Sequence, residues 1–271
     1  MPDSVAVTDP DLVRAERAEG VLILTLNRPE RLNAWTDALE AAYFAELDAA
    51  EDDPSVKAIV VTGAGRGFCG GADLSDLDAV AGSGDTTPAQ NRSRSRTFPT
   101  TVRKPMIAAI NGAAAGLGLL EALWCDVRFA TPDAKLTTAF VRRGLIAEYG
   151  VSWLLPRLIG LGAALDLLLS GRVVRGEEAY RLGLVDHLSE PQAVLTDAVA
   201  YAQDLADNCS PWSMATIKAQ ILADLDRDFA SAVAVADGLM IDSLRGPDVH
   251  EGVSSYLEKR PPTFPRLPPR S

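Results

Sequence analysis

Hydrophobic positions in the first half of the chain fall into short runs, each closed by glycine, asparagine or proline. Val21–Leu26 (VLILTL) ends at Asn27-Arg28-Pro29, the profile of a buried strand leading into a turn. Residues 56–62 (VKAIVVT) form a second run, leading into the glycine-rich GAGRGFCGGAD. Met106–Ile110 (MIAAI) is a third and runs into NGAAAGLG, and Val127–Ala130 is a fourth. Between the first two, residues 36–51 switch to helical spacing. Thr36 is an N-cap candidate there, and Leu39, Tyr43, Phe44 and Leu47 share one face. Strand alternating with helix predicts a mostly parallel sheet layered against helices, the α/β class.

Residues 82–100 (GSGDTTPAQNRSRSRTFPT) break this rhythm and are poor in aliphatic side chains. They predict a mobile loop or a poorly ordered helix; a long insertion beside a glycine-rich turn also fits a lid or pocket wall. Beyond Val151 the strand signal nearly disappears. Residues 151–159, 162–170, 177–183, 190–208, 211–225, 228–245 and 248–258 predict helices, with one short strand or extended link at 184–188. The tail RPPTFPRLPPR has five prolines in eleven residues, which excludes a helix.

Composition narrows the function classes. Of 271 residues, 47% are hydrophobic and 23% charged, an ordinary globular balance that excludes disorder over most of the chain. No apolar run reaches the ~18 residues of a membrane-spanning helix, and the N-terminus lacks a signal peptide's basic start and apolar stretch, so a cytoplasmic location is expected. Cys69, Cys125 and Cys209 form no CxxC pair, which argues against a disulfide framework or a cysteine zinc site. His187 and His250, the 2 histidines, leave little room for multi-histidine chemistry and are expected at the surface or at subunit contacts. With 26 basic and 37 acidic residues the net charge is −11, unsuited to nucleic acid as main partner.

Residues 65–70 (GRGFCG) match GxGxxG after a strand, but a dinucleotide fold also needs a second strand with an acidic residue ~20 positions on. That distance lands in the polar 82–100 stretch, where no strand is readable. GxxxxGK[ST], HExxH and GxSxG are absent, which sets aside P-loop, zincin and serine-hydrolase chemistry. What remains is two glycine-rich turns, residues 67–74 (GFCGGADL) and 111–120 (NGAAAGLGLL), each leaving a strand and opening onto a helix. Small residues let a ligand approach the main chain, and a helix start presents unpaired N–H groups. Two such turns facing one point would make a two-donor oxyanion hole. Equally, they fit two tight corners that let helices pack close to a sheet.

The series LNRPERLNA (26–34), VVTGAGRGFCGGADL (60–74), KPMIAAINGAAAGLG (104–118), CDVRFATPDAKL (125–136), LPRLIG (155–160) and LLLSGRVVRGEEAYRLGLVDHL (167–188) strongly resembles the crotonase superfamily, the enoyl-CoA hydratases and isomerases. The resemblance implies a spiral of ββα units over residues 1–205 that holds an acyl-CoA site. It implies a helical region over 206–271 that assembles a homotrimer or a dimer of trimers. The main-chain N–H groups of Ala72 and Leu117 would form the oxyanion hole. The Gly70 carbonyl would accept from the adenine amino group, with Arg28 and Asp73 also beside the CoA. Coenzyme A is then part of the substrate, and neither metal nor separate cofactor is expected.

The acid–base residues depart from the two-glutamate hydratase pattern. The two matching positions hold Leu120 and Phe140. Glu121 is adjacent, but one helical residue turns a side chain by about 100°, so it is expected to point elsewhere and form a structural salt bridge. Glu148, in GLIAEYGVSWLLP (144–156), lies where several enoyl-CoA and dienoyl-CoA isomerases carry their base. Apolar Leu145, Ile146, Trp153 and Leu154 around it should raise its pKa. The alternative is a glutamate that stabilises a helix N-terminus. A single base suits a Δ3-to-Δ2 double-bond shift; hydration by the same glutamate and a non-catalytic acyl-CoA-binding role are the rival readings. Trp124, Trp153, Trp212 and Tyr43 read as core. Arg92, Arg94 and Arg96 read as a solvated loop, or alternatively as CoA-phosphate contacts.

Overall fold

The computed structural model describes residues 12–84 and 94–270. β1 (Val13–Ala18) and β2 (Val21–Leu26) form an antiparallel hairpin. Glu19 and Gly20 close it, both at positive φ (49° and 93°), a turn whose twist matches that of its strands. α1 (Asp37–Asp52) starts at Thr36, whose hydroxyl accepts from the Leu39 N–H at 3.2 Å, so the N-cap read from sequence is observed.

The chain then winds through repeating units of two strands and a helical segment. The first unit is β3 (Ala58–Gly63), β4 (Gly67–Cys69) and α2 (Leu74–Ser83). The second is β5 (Met106–Ile110), β6 (Ala113–Ala115) and α3 (Leu117–Leu123). The third is β7 (Val127–Ala130), β8 (Lys135–Thr137), a 3-10 turn at Phe140–Arg143, and α4 (Val151–Ser170). β9 (Val174–Arg175), α5 (Gly176–Leu182), β10 (His187–Leu188) and α6 (Val194–Asn208) follow. One sheet has the order β1-β2-β3-β5-β7-β10 and is parallel from β2 onward; the other has the order β4-β6-β8-β9. Each unit gives one strand to each sheet, and equivalent strands of successive units pair in parallel. That is the ββα spiral expected from the resemblance.

The sheet is covered on both faces, which is why its strands read as continuous apolar runs. Leu22, Leu24, Ile59, Val61 and Met106 pack with α1 and α3 in the main core. Val21, Val60, Ile107 and Ala109 face α6, which meets them with Val194, Ala198, Ala202 and Ala206. That spacing of small residues lets the helix lie close to the strands.

α4 has the length and apolarity of a bilayer-crossing helix, but Gly160 breaks it at φ 77°, ψ 157°. The break falls between the two helices expected at 151–159 and 162–170. Beyond α6, the helices α7 (Pro211–Asp224), α8 (Phe229–Arg245) and α9 (Pro247–Glu258) expose most of their apolar side chains. Two features were not legible in the hydrophobic pattern: the β1 strand and the short strands of the second sheet.

Candidate active site

The first glycine-rich turn is strung along residues 32–35. The Gly70 N–H donates to the Leu32 carbonyl at 2.8 Å, Trp35 N–H to Gly71 at 2.7 Å, and Asp73 N–H to Trp35 at 3.0 Å. Trp35 thus bridges the residues on either side of Ala72 in parallel fashion, which turns Ala72's own N–H to the opposite side. No described group accepts from that N–H. Asn33, fully buried, clamps the preceding corner: its amide donates to the carbonyls of Ala64, Gly67 and Phe68 at 2.9–3.1 Å. The LNRPERLNA segment is therefore the frame on which this turn is built.

The second turn meets the first. A Cβ on Gly71 would lie 2.7 Å from the Ala115 carbonyl oxygen, and one on Gly118 would lie 2.2 Å from that of Cys69. Only glycine permits either approach. Leu117 is the first residue of α3, so its N–H has no partner within the helix. The left-handed conformation needed here falls on Gly116 (φ 50°), and Leu117 itself stays out of it. A leucine at this position is therefore compatible with an exposed main-chain donor. Two free N–H groups, of Ala72 and Leu117, stand on abutting turns.

Glu148 belongs to a segment that runs along α3. Phe140 lies against Gly116 at the start of α3, and Trp124 lies against Gly150 at its end. Glu148 is half-buried, and burial raises its pKa while the nearby positive charge of Arg96 offsets part of the rise. The direction is the one expected, although Ile146 turns out to be 76% exposed and contributes little. Glu148 lies ahead of α4 instead of in its first turn, separated from Val151 by Tyr149 (φ 49°) and Gly150 (φ 78°).

Glu121 corrects the sequence reading. It forms no salt bridge among the described residues; it is buried, and its Oε2 has no hydrogen-bond partner there. Burial, with the charge of Glu40 adding to it, pushes its pKa well above the usual carboxylate range. Leu120 and Phe140, at the two hydratase positions, are buried apolar groups.

The residues expected beside the CoA lie together. Arg28 donates to the Ala34 carbonyl at 2.6 Å and pairs with Asp73 at 3.2 Å. Asp73 also caps α2 by accepting from Ser75. Both side chains thus brace the turn, and Gly70, at its rim, is exposed. Arg92 lies outside the described residues, as do residues 85–93 of the 82–100 break. Arg94 stays on an exposed loop, as one of the sequence readings has it, and pairs with Asp48 over the Phe98 ring; Arg96 departs from both readings and turns inward to Glu40. A cavity of about 1130 Å³ lies between Trp124, Tyr149, Trp153, Ile217 and Leu222. It sits at the far end of α3 from the two N–H donors and is separate from them.

The sequence matches the family Enoyl-CoA hydratase/isomerase over residues 16–266. It is 35% identical to 1,2-epoxyphenylacetyl-CoA isomerase of Escherichia coli, covering 91% of this chain and 95% of that protein. It is 34% identical to the 2,3-dehydroadipyl-CoA hydratase of the same organism, covering 92% and 96%. Among solved structures, an enoyl-CoA hydratase from Mycobacterium marinum is 49% identical, with a TM-score of 0.69 over 80% of this chain and all of that one. The chain belongs to the enoyl-CoA hydratase/isomerase family, within the crotonase superfamily.

Proposed function

We propose that the protein moves a double bond in an enoyl-CoA from Δ3 to Δ2, with Glu148 as the only proton carrier. The carrying observation is the distribution of carboxyl groups around the two turns. Among the described residues, the hydratase positions are apolar, Glu121 is buried with its pKa raised, Asp73 is taken up by Arg28 and Ser75, and Glu148 is half-buried. The thioester oxygen would accept from the N–H groups of Ala72 and Leu117. Glu148 would take a proton from C2, leaving a dienolate whose negative charge rests on that oxygen. The same carboxyl would return the proton at C4, so the double bond finishes between C2 and C3 with no net loss of atoms or charge. Each oxyanion donor of this kind is typically worth ~10²–10³ in rate. Gly70, Arg28 and Asp73 would form the CoA end of the site.

A second reading is hydration of a 2-enoyl-CoA, and the hydratase names among similar proteins favour it. It asks Glu148 both to activate water and to protonate C2. Incubating the purified protein with trans-3-enoyl-CoA and, separately, trans-2-enoyl-CoA separates the readings by ultraviolet absorbance and product mass. Conversion of the 3-enoyl substrate without mass change supports isomerisation. Gain of water by the 2-enoyl substrate supports hydration, and turnover of neither supports an acyl-CoA-binding role.

We further propose a homotrimer or a dimer of trimers. Leu161, Leu165 and Leu169 form an exposed stripe along α4, and Ile221, Phe229 and Leu244 are exposed on α7 and α8. An apolar surface of this extent calls for a partner.

A further inference from the structure

Arg96 is an arginine from a polar, serine-rich stretch whose side chain is only 12% exposed. Its Nε lies 2.8 Å from Glu40 Oε2, its Nη2 lies 3.4 Å from Asp37, and its Nη1 donates to the Tyr149 hydroxyl at 3.2 Å. The guanidinium also lies 5.2 Å from the centre of the Tyr149 ring. Tyr149 directly follows Glu148 and adopts a left-handed backbone (φ 49°) that non-glycine residues rarely take without support. On its other side, Glu40 Oε2 accepts from the Trp35 indole N–H at 2.9 Å, and the Trp35 backbone holds Gly71 and Asp73 around the Ala72 donor. One planar cation therefore joins the segment carrying the carboxyl group to the turn carrying an oxyanion donor.

We infer that Arg96 is a positioning residue for proton transfer, fastening Tyr149, and with it Glu148, to the Glu40–Trp35 pair that sets the Ala72 turn. The inference rests on Glu148 being the base. Among the described residues, the charged and titratable groups around Arg96 are Asp37 and Glu40 of α1, Glu121 of α3, and Tyr149 and Glu148. The contact with Glu40 is an ion pair whose geometry is not that of a hydrogen bond, while Nη1 and Nη2 donate to Tyr149 and Asp37. Arginine suits the task because its fork holds these donors in one plane as it keeps the charge beside Glu40.

The experiment measures kcat, KM and the pH dependence of kcat/KM for trans-3-enoyl-CoA, with Glu148→Gln assayed in parallel. Arg96→Met is expected to lower kcat ~10–10²-fold with KM little changed. It also moves the acid limb of the profile to higher pH, because the charge that favours the Glu148 carboxylate is gone. Arg96→Lys keeps the charge, so its limb stays near the parent's while kcat remains low. Tyr149→Phe removes only the hydroxyl acceptor and is expected to lower kcat ~10-fold without moving the limb. If circular dichroism shows Arg96→Met unfolded, the Arg96→Lys and Tyr149→Phe pair decides. Parental kcat in both overturns the inference, as does a change in KM alone for Arg96→Met. Full turnover by Glu148→Gln would instead refute the base assignment, a result distinct from any Arg96 outcome.

Discussion

Glu121 and Glu148 are both drawn out of water, yet their surroundings fit them to different uses. Glu148 keeps contact with solvent and has a nearby arginine, so it can gain and lose a proton. Glu121 is sealed in beside Glu40, with one oxygen unpartnered among the described residues, and its surroundings favour the neutral acid. Glutamine closely mimics that acid, and Glu121→Gln should leave turnover within a few-fold of the parent. Its stability effect has a defined sign. Folded Glu121 holds its proton above the pH at which the unfolded chain, with its ordinary value of 4.5, releases it. The parent therefore loses stability as pH rises beyond that point, and the variant does not. Melting temperatures should nearly coincide at about pH 4 and diverge in favour of the variant toward about pH 8. A constant difference at both pH values would show that the buried carboxyl is ionised. The resemblance singled out the position of Glu148, and the direction of its pKa shift was legible from its mostly apolar neighbours. The burial of Glu121 was not, since it depends on Glu40 and Tyr43, residues brought from a distant helix.

At the scale of elements, the two strand–turn–helix corners were legible as a pair because glycine punctuates both after an apolar run. Their contact was not, because nothing local to residues 67–74 specifies what lies opposite. The strands β4, β6 and β8 escaped detection for a physical reason. They are three residues each and read GFC, AAA and KLT, with little β-branched content to mark them. β1 escaped because only Val13 of its six residues is buried, so its hydrophobic signal is weak. The contact itself yields a test. Gly118→Ala adds a methyl where 2.2 Å separates the site from the Cys69 carbonyl, so α3 must shift away from the first turn. A displacement near 1 Å at a reacting geometry can cost ~10²-fold, and turnover should fall by about that factor while acyl-CoA still binds. Unchanged turnover measured on folded protein would show that the spacing of the two turns is immaterial.

Across the whole molecule, the proposed site draws on groups that are far apart in sequence. Ala72, Leu117 and Glu148 come from three successive units, each at the same kind of strand-to-helix exit. α6 closes the far face of the sheet, leaving α7, α8 and α9 with apolar surface to cover. Light scattering at micromolar concentration should report a trimer or a multiple of it, and a stable monomer would contradict the proposed assembly. Catalysis is the more central claim, and its test is Glu148→Gln, with turnover of trans-3-enoyl-CoA and acyl-CoA binding measured on the same preparation. Turnover should fall by at least ~10²-fold, the usual contribution of a general acid–base group, with binding retained because the oxyanion donors are main-chain N–H groups. A loss below about tenfold, against that expectation, would show that the proton travels by another route.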